Sequence, residues 1–185
     1  ARSGVCSKCY GANIALNKPA EVGDTVGIIA AQSIGSSTYR LPECKKNGVW
    51  NRQRVEELFE ARRPPKMAVL AETSGTVTVE EAKKGAMHTI TVTNEKNGET
   101  FVYAVPLDAG ILLHTGDHVD KGQELTSGAL NPHDVLRIRG INDDEFGRAG
   151  VRTYITQEIQ KVYRQQGIDL NDKHIEVIVR QMMRK

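Results

Sequence analysis

At 185 residues and 39% hydrophobic, the chain can bury one sizeable core or two small ones, which excludes disorder throughout. Its 25 Lys and Arg against 23 Asp and Glu leave a net charge of only +2, so any contact with nucleic acid must come from a local basic cluster rather than from a basic whole. No apolar run approaches the roughly 20 residues of a membrane-spanning helix, and no secretory start is legible, so a reducing cytoplasm is the expected compartment and the membrane is not an expected partner.

The first stretch, to about Gly23, is rich in turn formers and carries Cys6-Ser7-Lys8-Cys9 followed by Tyr10-Gly11. Two thiols three positions apart can point inward across one turn and chelate a single ion, and Gly11 lets the backbone fold beneath them. In a reducing compartment such a pair reads as metal-binding or redox-active, with a pair of ordinary buried thiols as the plainer reading. A structural zinc needs four ligands, and this segment offers two, since Cys44 is remote.

Asp24 is placed to cap a helix beginning at Thr25, with Val26, Ile29, Ala30 and Ser33 on one face. The alanines, glycines and Gln32 of this segment suit either a tightly packed core helix or the close approach of a second helix or a nucleic acid. From Ser36 to Gln53 the pattern dissolves into Ser-Ser-Thr, Pro42, a Lys45-Lys46-Asn47-Gly48 turn signal and Trp50, which predicts a loop over 36–53. A helix is predicted from Arg54 to Arg63, with Val55, Leu58 and Phe59 as its apolar stripe and Pro64-Pro65 as its stop. Arg62 and Arg63 would then suit the negative end of the helix dipole, or, with Lys66, contact phosphates.

The period changes to two after Met67, predicting strands at Ala68–Ala71, Gly75–Val79, His88–Thr93 and Thr100–Val105, with Asn97-Gly98 as a hairpin signal. The glycine turns at Gly116 and Gly122 around a short strand resemble barrel-sandwich hybrid folds such as lipoyl and biotinyl carriers. The carrier lysine is missing after Leu125, and Lys83 and Lys84 lie on the wrong side of the turns. His114 and His118 read as surface turn residues. Asn131 is expected to cap a helix from Pro132 to Arg139. Val151, Tyr154, Ile155, Ile159, Val162 and Tyr163 form the face of a long helix capped by Gly167. Asn171 or Asp172 starts a second helix with Ile175, Ile178, Val179 and Met182 inward and His174 partly exposed. The architecture expected is α+β: a small knuckle over 1–23, helices over 24–66, a central antiparallel barrel-sandwich-like β region over 67–130, and a C-terminal helical hairpin over 131–185.

Several of these segments together resemble the largest catalytic subunit of bacterial RNA polymerase, beta-prime, in its C-terminal half. The matching stretches are Gly4 to Gly11, Val26 to Gly35, Arg54 to Pro64, Asn131-Pro132-His133-Asp134 and Asp172 to Met182, in the family's order. The resemblance covers roughly residues 1–35 and 54–185. It implies that Cys6 and Cys9 are two of four zinc ligands, and that the helix carrying Gln32, Ser33 and Gly35 is the base of the trigger loop, which folds against the incoming nucleotide. It further implies that the β region is the jaw facing downstream DNA and that the closing helices belong to the main cleft, while the local basic cluster of Arg62, Arg63 and Lys66 supplies the candidate nucleic-acid-binding residues. The magnesium-binding aspartate motif of the family lies outside this sequence, so no catalytic residue is expected here and the chain alone is expected to be inactive. Implied partners are the beta, alpha, omega and sigma subunits, DNA, RNA and nucleoside triphosphates, in a bacterial, nucleoid-associated setting.

One departure is specific. After Ile34-Gly35 the family continues Glu-Pro-Gly-Thr-Gln-Leu-Thr-Met-Arg-Thr-Phe-His, whose methionine, arginine and histidine contact the substrate nucleotide, whereas this chain reads Ser36-Ser37-Thr38-Tyr39-Arg40-Leu41-Pro42-Glu43-Cys44. A non-catalytic module that binds nucleic acid, or one that only packs against other subunits, is the alternative function.

Overall fold

The structure is a computed structural model that describes residues 4–42, 52–80, 87–95, 97–140 and 144–184. The Lys45-Lys46-Asn47-Gly48 turn, Cys44, Trp50, Lys83, Lys84 and Lys185 lie outside the described residues. In chain order the elements are α1 (Ser7–Tyr10), β1 (Ala12–Asn13), β2 (Lys18–Pro19), α2 (Val26–Tyr39), α3 (Arg52–Phe59), β3 (Gly75–Glu80), β4 (His88–Thr93), β5 (Thr100–Val105), β6 (His118–Val119), α4 (Pro132–Gly140), α5 (Asp144–Gln165) and α6 (Asp172–Met182). The mixture of helices and antiparallel sheet is the α+β class expected from the sequence. Two compact units divide the chain, one of residues 1–59 and 152–185 and one of residues 60–151.

In the unit of residues 60–151, a four-stranded antiparallel sheet runs β5-β4-β3-β6. Alternation does the sorting. Val77, Ile90, Val92, Val105 and Val119 point to one face and are fully buried, while Thr78, Val102 and Ala104 turn to solvent. The expected strand at Ala68–Ala71 is an irregular ladder instead: Leu70 bridges Glu124, Ala71 N–H donates to Gln123 O at 2.9 Å, and Leu125 N–H donates to Val69 O at 2.8 Å. Its Ala71 and Leu125 complete the same core as the sheet, so the ladder is a second layer over the sheet's apolar face. The Thr126 hydroxyl accepts from Val69 N–H at 3.0 Å, replacing a regular backbone rung, which accounts for the loss of strand regularity there. Gly116 and Gly122, at φ of 101° and 83°, turn the chain around β6. His114 and His118 are surface residues, as expected.

The unit of residues 1–59 and 152–185 is helical. α2 packs along α6, and its half-buried or buried positions Val26, Ile29, Ala30, Ser33, Ile34, Ser37 and Thr38 recur at three-and-four spacing. Two expectations change here. Asp24 does not cap the helix; its carboxylate accepts from Glu21 N–H at 3.2 Å, and Thr25 is the capping residue without a side-chain bond. The loop expected from Ser36 begins later, because α2 continues through Tyr39, where the Thr38 hydroxyl donates to Ile34 O at 2.7 Å and meets the Tyr163 hydroxyl at 2.8 Å. Ser36, Ser37 and Thr38 carry weak helix propensity, but this tertiary contact holds them helical.

α3 starts two residues before the expected Arg54 and stops at Phe59, short of Arg63. Ala61 sits in the left-handed region at φ 50°, and its carbonyl lies 3.1 Å from His133 Nε2. The Pro64-Pro65 pair already denies Arg63 a helical backbone, and Ala61 ends the helix a turn earlier, so Arg62 and Arg63 are not at its dipole end. Asn131 caps α4 as expected, accepting from His133 N–H at 3.2 Å, and Gly167 turns the chain after α5 at φ 66°. Asn171 caps α6, accepting from Lys173 N–H at 3.1 Å.

Candidate functional site

Cys6 is the residue before α1, in extended conformation, and its carbonyl accepts from Tyr10 N–H at 2.9 Å. That turn places the Cys6 thiol over the backbone N–H groups of Cys9 and Lys8. They stabilise a thiolate and hold the Cys6 thiol below its ordinary range, the Cys9 N–H being the larger cause. Both thiols are free and exposed rather than buried. Gly11, at φ 80°, then reverses the chain into the β1–β2 hairpin, where Ala20 N–H donates to Gly11 O at 2.9 Å. Two accessible thiols on a tight turn suit a soft cation such as zinc, which binds cysteine as thiolate. Among the described residues no group of three or more His, Cys, Asp or Glu comes together, so the arrangement here amounts to half a tetrahedral site.

On α2 the packing divides the three singled-out residues. Ser33 lies on the half-buried side, whereas Gln32 and Gly35 are on the exposed side with Ile28, 58% exposed, Ala31 and Tyr39, 84% exposed. A Cβ built on Gly27 or Gly35 would meet nothing within 4 Å among the described residues. A glycine inside a helix costs about 1 kcal/mol relative to alanine. Packing within the described residues therefore gives no reason for either glycine, and both sit where another body could approach the backbone closely.

Arg62, Arg63 and Lys66 are exposed on the irregular segment after Ala61. Arg62 pairs with Glu60, and Lys66 Nζ lies 3.2 Å from Asp108 Oδ2, both at the surface. Surface pairs of this kind contribute between nothing and about 1 kcal/mol, so phosphates could replace these acids at small cost. The cysteine pair and the α2 residues belong to one compact unit and the three cations to the other.

Three buried polar features were not legible in the sequence. Arg54, only 3% exposed, directs Nη1 to Glu57 at 3.4 Å and Nη2 to the Tyr154 hydroxyl at 3.3 Å and to Glu158 at 3.5 Å. Gln160, 4% exposed, donates to Leu170 O and Asp172, tying the end of α5 to the start of α6. His174 is buried rather than partly exposed, because it falls on the side of α6 that carries Ile175 and Val179. Burial pushes its imidazole below the ordinary range, with the neighbouring Lys173 charge adding to the effect. Only Glu57, three residues after Arg54, gave a local sign of any of these.

The family model described as RNA polymerase Rpb1, domain 5, matches residues 37–185, and the chain belongs to that family. Within it, the chain is similar to the DNA-directed RNA polymerase subunit beta' of several bacteria. It is 50% identical to the Acetivibrio thermocellus protein, over 98% of this chain and 16% of that one. Identity is 48% to the Finegoldia magna protein, over 100% of this chain and 15% of the relative, and 47% to the Caldicellulosiruptor saccharolyticus protein, over 100% and 16%. The chain thus spans about 16% of the length of these relatives. The matched stretch of 192 residues in the latter two exceeds the 185 of this chain, so the match runs past residues that have no counterpart here.

Proposed function

We propose that this chain is a segment of the largest catalytic subunit of a DNA-dependent RNA polymerase, acting in transcription within a nucleotidyltransferase complex. The observation that carries the proposal is the similarity to beta' subunits along essentially the whole chain, at about half identity. In this reading residues 1–23 give half of a zinc knuckle, with Cys6 and Cys9 as two of four ligands, and residues 24–66 give the trigger-loop base. Residues 67–130 form the jaw and 131–185 the cleft helices. The partners are the beta, alpha, omega and sigma subunits, template DNA, RNA and nucleoside triphosphates, in the bacterial cytoplasm and at the nucleoid. No helix among the described residues is long and apolar enough to cross a membrane.

Zinc would hold the turn of Cys6 and Cys9 to ligands supplied from elsewhere in the subunit. Magnesium, held outside this chain, would polarise the phosphates during nucleotide transfer. The chain's own part is positional. α2 stands on α6 by one face and leaves Gln32 and Gly35 open on the other, a surface a mobile active-site element needs if it is to close against something. Arg62, Arg63 and Lys66 offer exposed cations that would neutralise duplex phosphates without reading bases. Alone, the segment lacks the metal-binding aspartates and is expected to add no nucleotides.

Gly35→Leu in the assembled polymerase tests the α2 assignment, because a Cβ at this position meets nothing within 4 Å among the described residues. Nucleotide addition is expected to slow on the order of 10-fold to 100-fold, as misplaced positioning elements do, with assembly unchanged. An unchanged rate would remove α2 from the active centre. For the cations, replacing Arg62, Arg63 and Lys66 by alanine should make the salt dependence of duplex binding shallower by about 0.9 per lost phosphate contact. An unchanged slope would favour the alternative in which this face packs only against protein.

A further inference from the structure

The two-thiol turn is secured by a residue far away in sequence. Tyr10, the residue after Cys9, is 9% exposed, and the Lys173 ammonium lies 4.6 Å from the centre of its ring. The same ammonium donates to Ala12 O at 2.5 Å, across 161 residues of sequence. Lys173 is in the first turn of α6, where the helix dipole disfavours a cation, and its backbone N–H is already committed to the Asn171 cap. Helix formation therefore gives no reason for a lysine at this position, whereas the ring of Tyr10 and the carbonyl of Ala12 give two. Both contacts fall on the residues that leave the thiol turn, Tyr10 directly after Cys9 and Ala12 directly after the Gly11 reversal.

We propose that Lys173 is a positioning residue for the metal half-site: by clamping Tyr10 and Ala12 to the first turn of α6, it fixes the direction in which Cys6 and Cys9 present their thiolates. The proposal rests on the zinc reading of that pair. It also gives α6 two loads, since the helix that carries the clamp is the one on which α2 packs. A turn that is free to swing samples the chelating arrangement for only part of the time, so loss of the clamp should raise the rate at which metal escapes without removing a ligand.

The experiment uses the full subunit in assembled polymerase, with zinc release to a chromophoric chelator as the readout. Cys6→Ser identifies the zinc belonging to this site, which it should lose. Lys173→Met, which keeps the length of the side chain and removes the cation, should retain that zinc but release it about fivefold faster. Lys173→Arg, which restores a cation and a donor, should return release to within about twofold of the parent. Hydrogen exchange should quicken at Tyr10 to Ala12 in Lys173→Met and stay unchanged in α2. Parent-like release from Lys173→Met would overturn the positioning role while leaving the zinc reading in place. Faster exchange throughout α2 and α6 would also overturn it, by making Lys173 a general stability residue. Zinc content unchanged by Cys6→Ser would sink the zinc reading and the positioning role together.

Discussion

Among the described residues, the unit of residues 60–151 buries aliphatic side chains with only Thr126 and Asn131 as buried polar residues, whereas the unit of residues 1–59 and 152–185 buries Arg54, Thr156, Gln160 and His174 beside its apolar set. In the first, the two buried polar groups serve the backbone: Thr126 accepts from Val69 N–H and Asn131 caps α4. In the second, two of the four hold different elements together, Arg54 of α3 reaching Tyr154 and Glu158 of α5, and Gln160 of α5 reaching Leu170 O and Asp172. Each unit is therefore vulnerable in its own way. A core sorted by alternation loses stability roughly with the volume removed, while helices joined by buried polar groups depend on each partner and on pH.

Truncating a buried residue in each unit separates the two behaviours. Ile90→Ala should destabilise the sheet by about 2–5 kcal/mol, read as faster native-state hydrogen exchange in β3, β4 and β5. Arg54→Met should weaken α3 and its contact with α5 by about 3 kcal/mol, the low end of the range for breaking a buried pair because Glu57 and Glu158 keep partial access to water. A neutral result for Arg54→Met would make that unit a simple apolar core like the other. Asn171→Ala removes the cap of α6 and should cost about 1 kcal/mol, with faster exchange confined to its first turn.

His174 supplies the smallest effect and the one with a sign to check. Its folded pKa is depressed by burial below the usual 6.5, so the unfolded chain binds the proton more readily. The stability it contributes is fully present above about pH 6.5 and is lost as pH falls through the folded value. α6 exchange should therefore quicken as pH falls below 6.5, after correction for intrinsic exchange. His174→Gln should flatten that dependence, and a slope preserved in the variant would place the titration elsewhere.

The features legible in the sequence were those written in local periodicity. β3, β4 and β5 followed from alternation, and the Asn131, Gly167 and Asn171 boundaries followed from cap chemistry. What failed depended on distant contacts. The Thr38 hydroxyl meeting Tyr163 carries α2 past Ser36, and Arg54 is buried by Tyr154 and Glu158, partners on α5 that nothing near Arg54 in sequence announces. The ladder around Leu70 was read as a strand because its apolar run is strand-like, although its pairing is broken by the Thr126 side chain. At the candidate site, the spacing of Cys6 and Cys9 was visible, but the Lys173 clamp was not, since nothing local links residue 173 to residues 10 and 12.

The proposed role of α2 is the base of a nucleotide-facing element, and the expectation tied to it is that the stretch after Gly35 does not carry the family's usual continuation. The most direct measurement transplants residues 36–53 of this chain into the corresponding place in the Acetivibrio thermocellus beta' subunit and follows single-nucleotide addition by the reconstituted polymerase. Normal assembly and DNA binding are predicted, with addition slowed on the order of 100-fold or more, because residues 36–53 lack the Met-Arg-Thr-Phe-His run that the resemblance implies there. Addition at the parental rate would contradict that role.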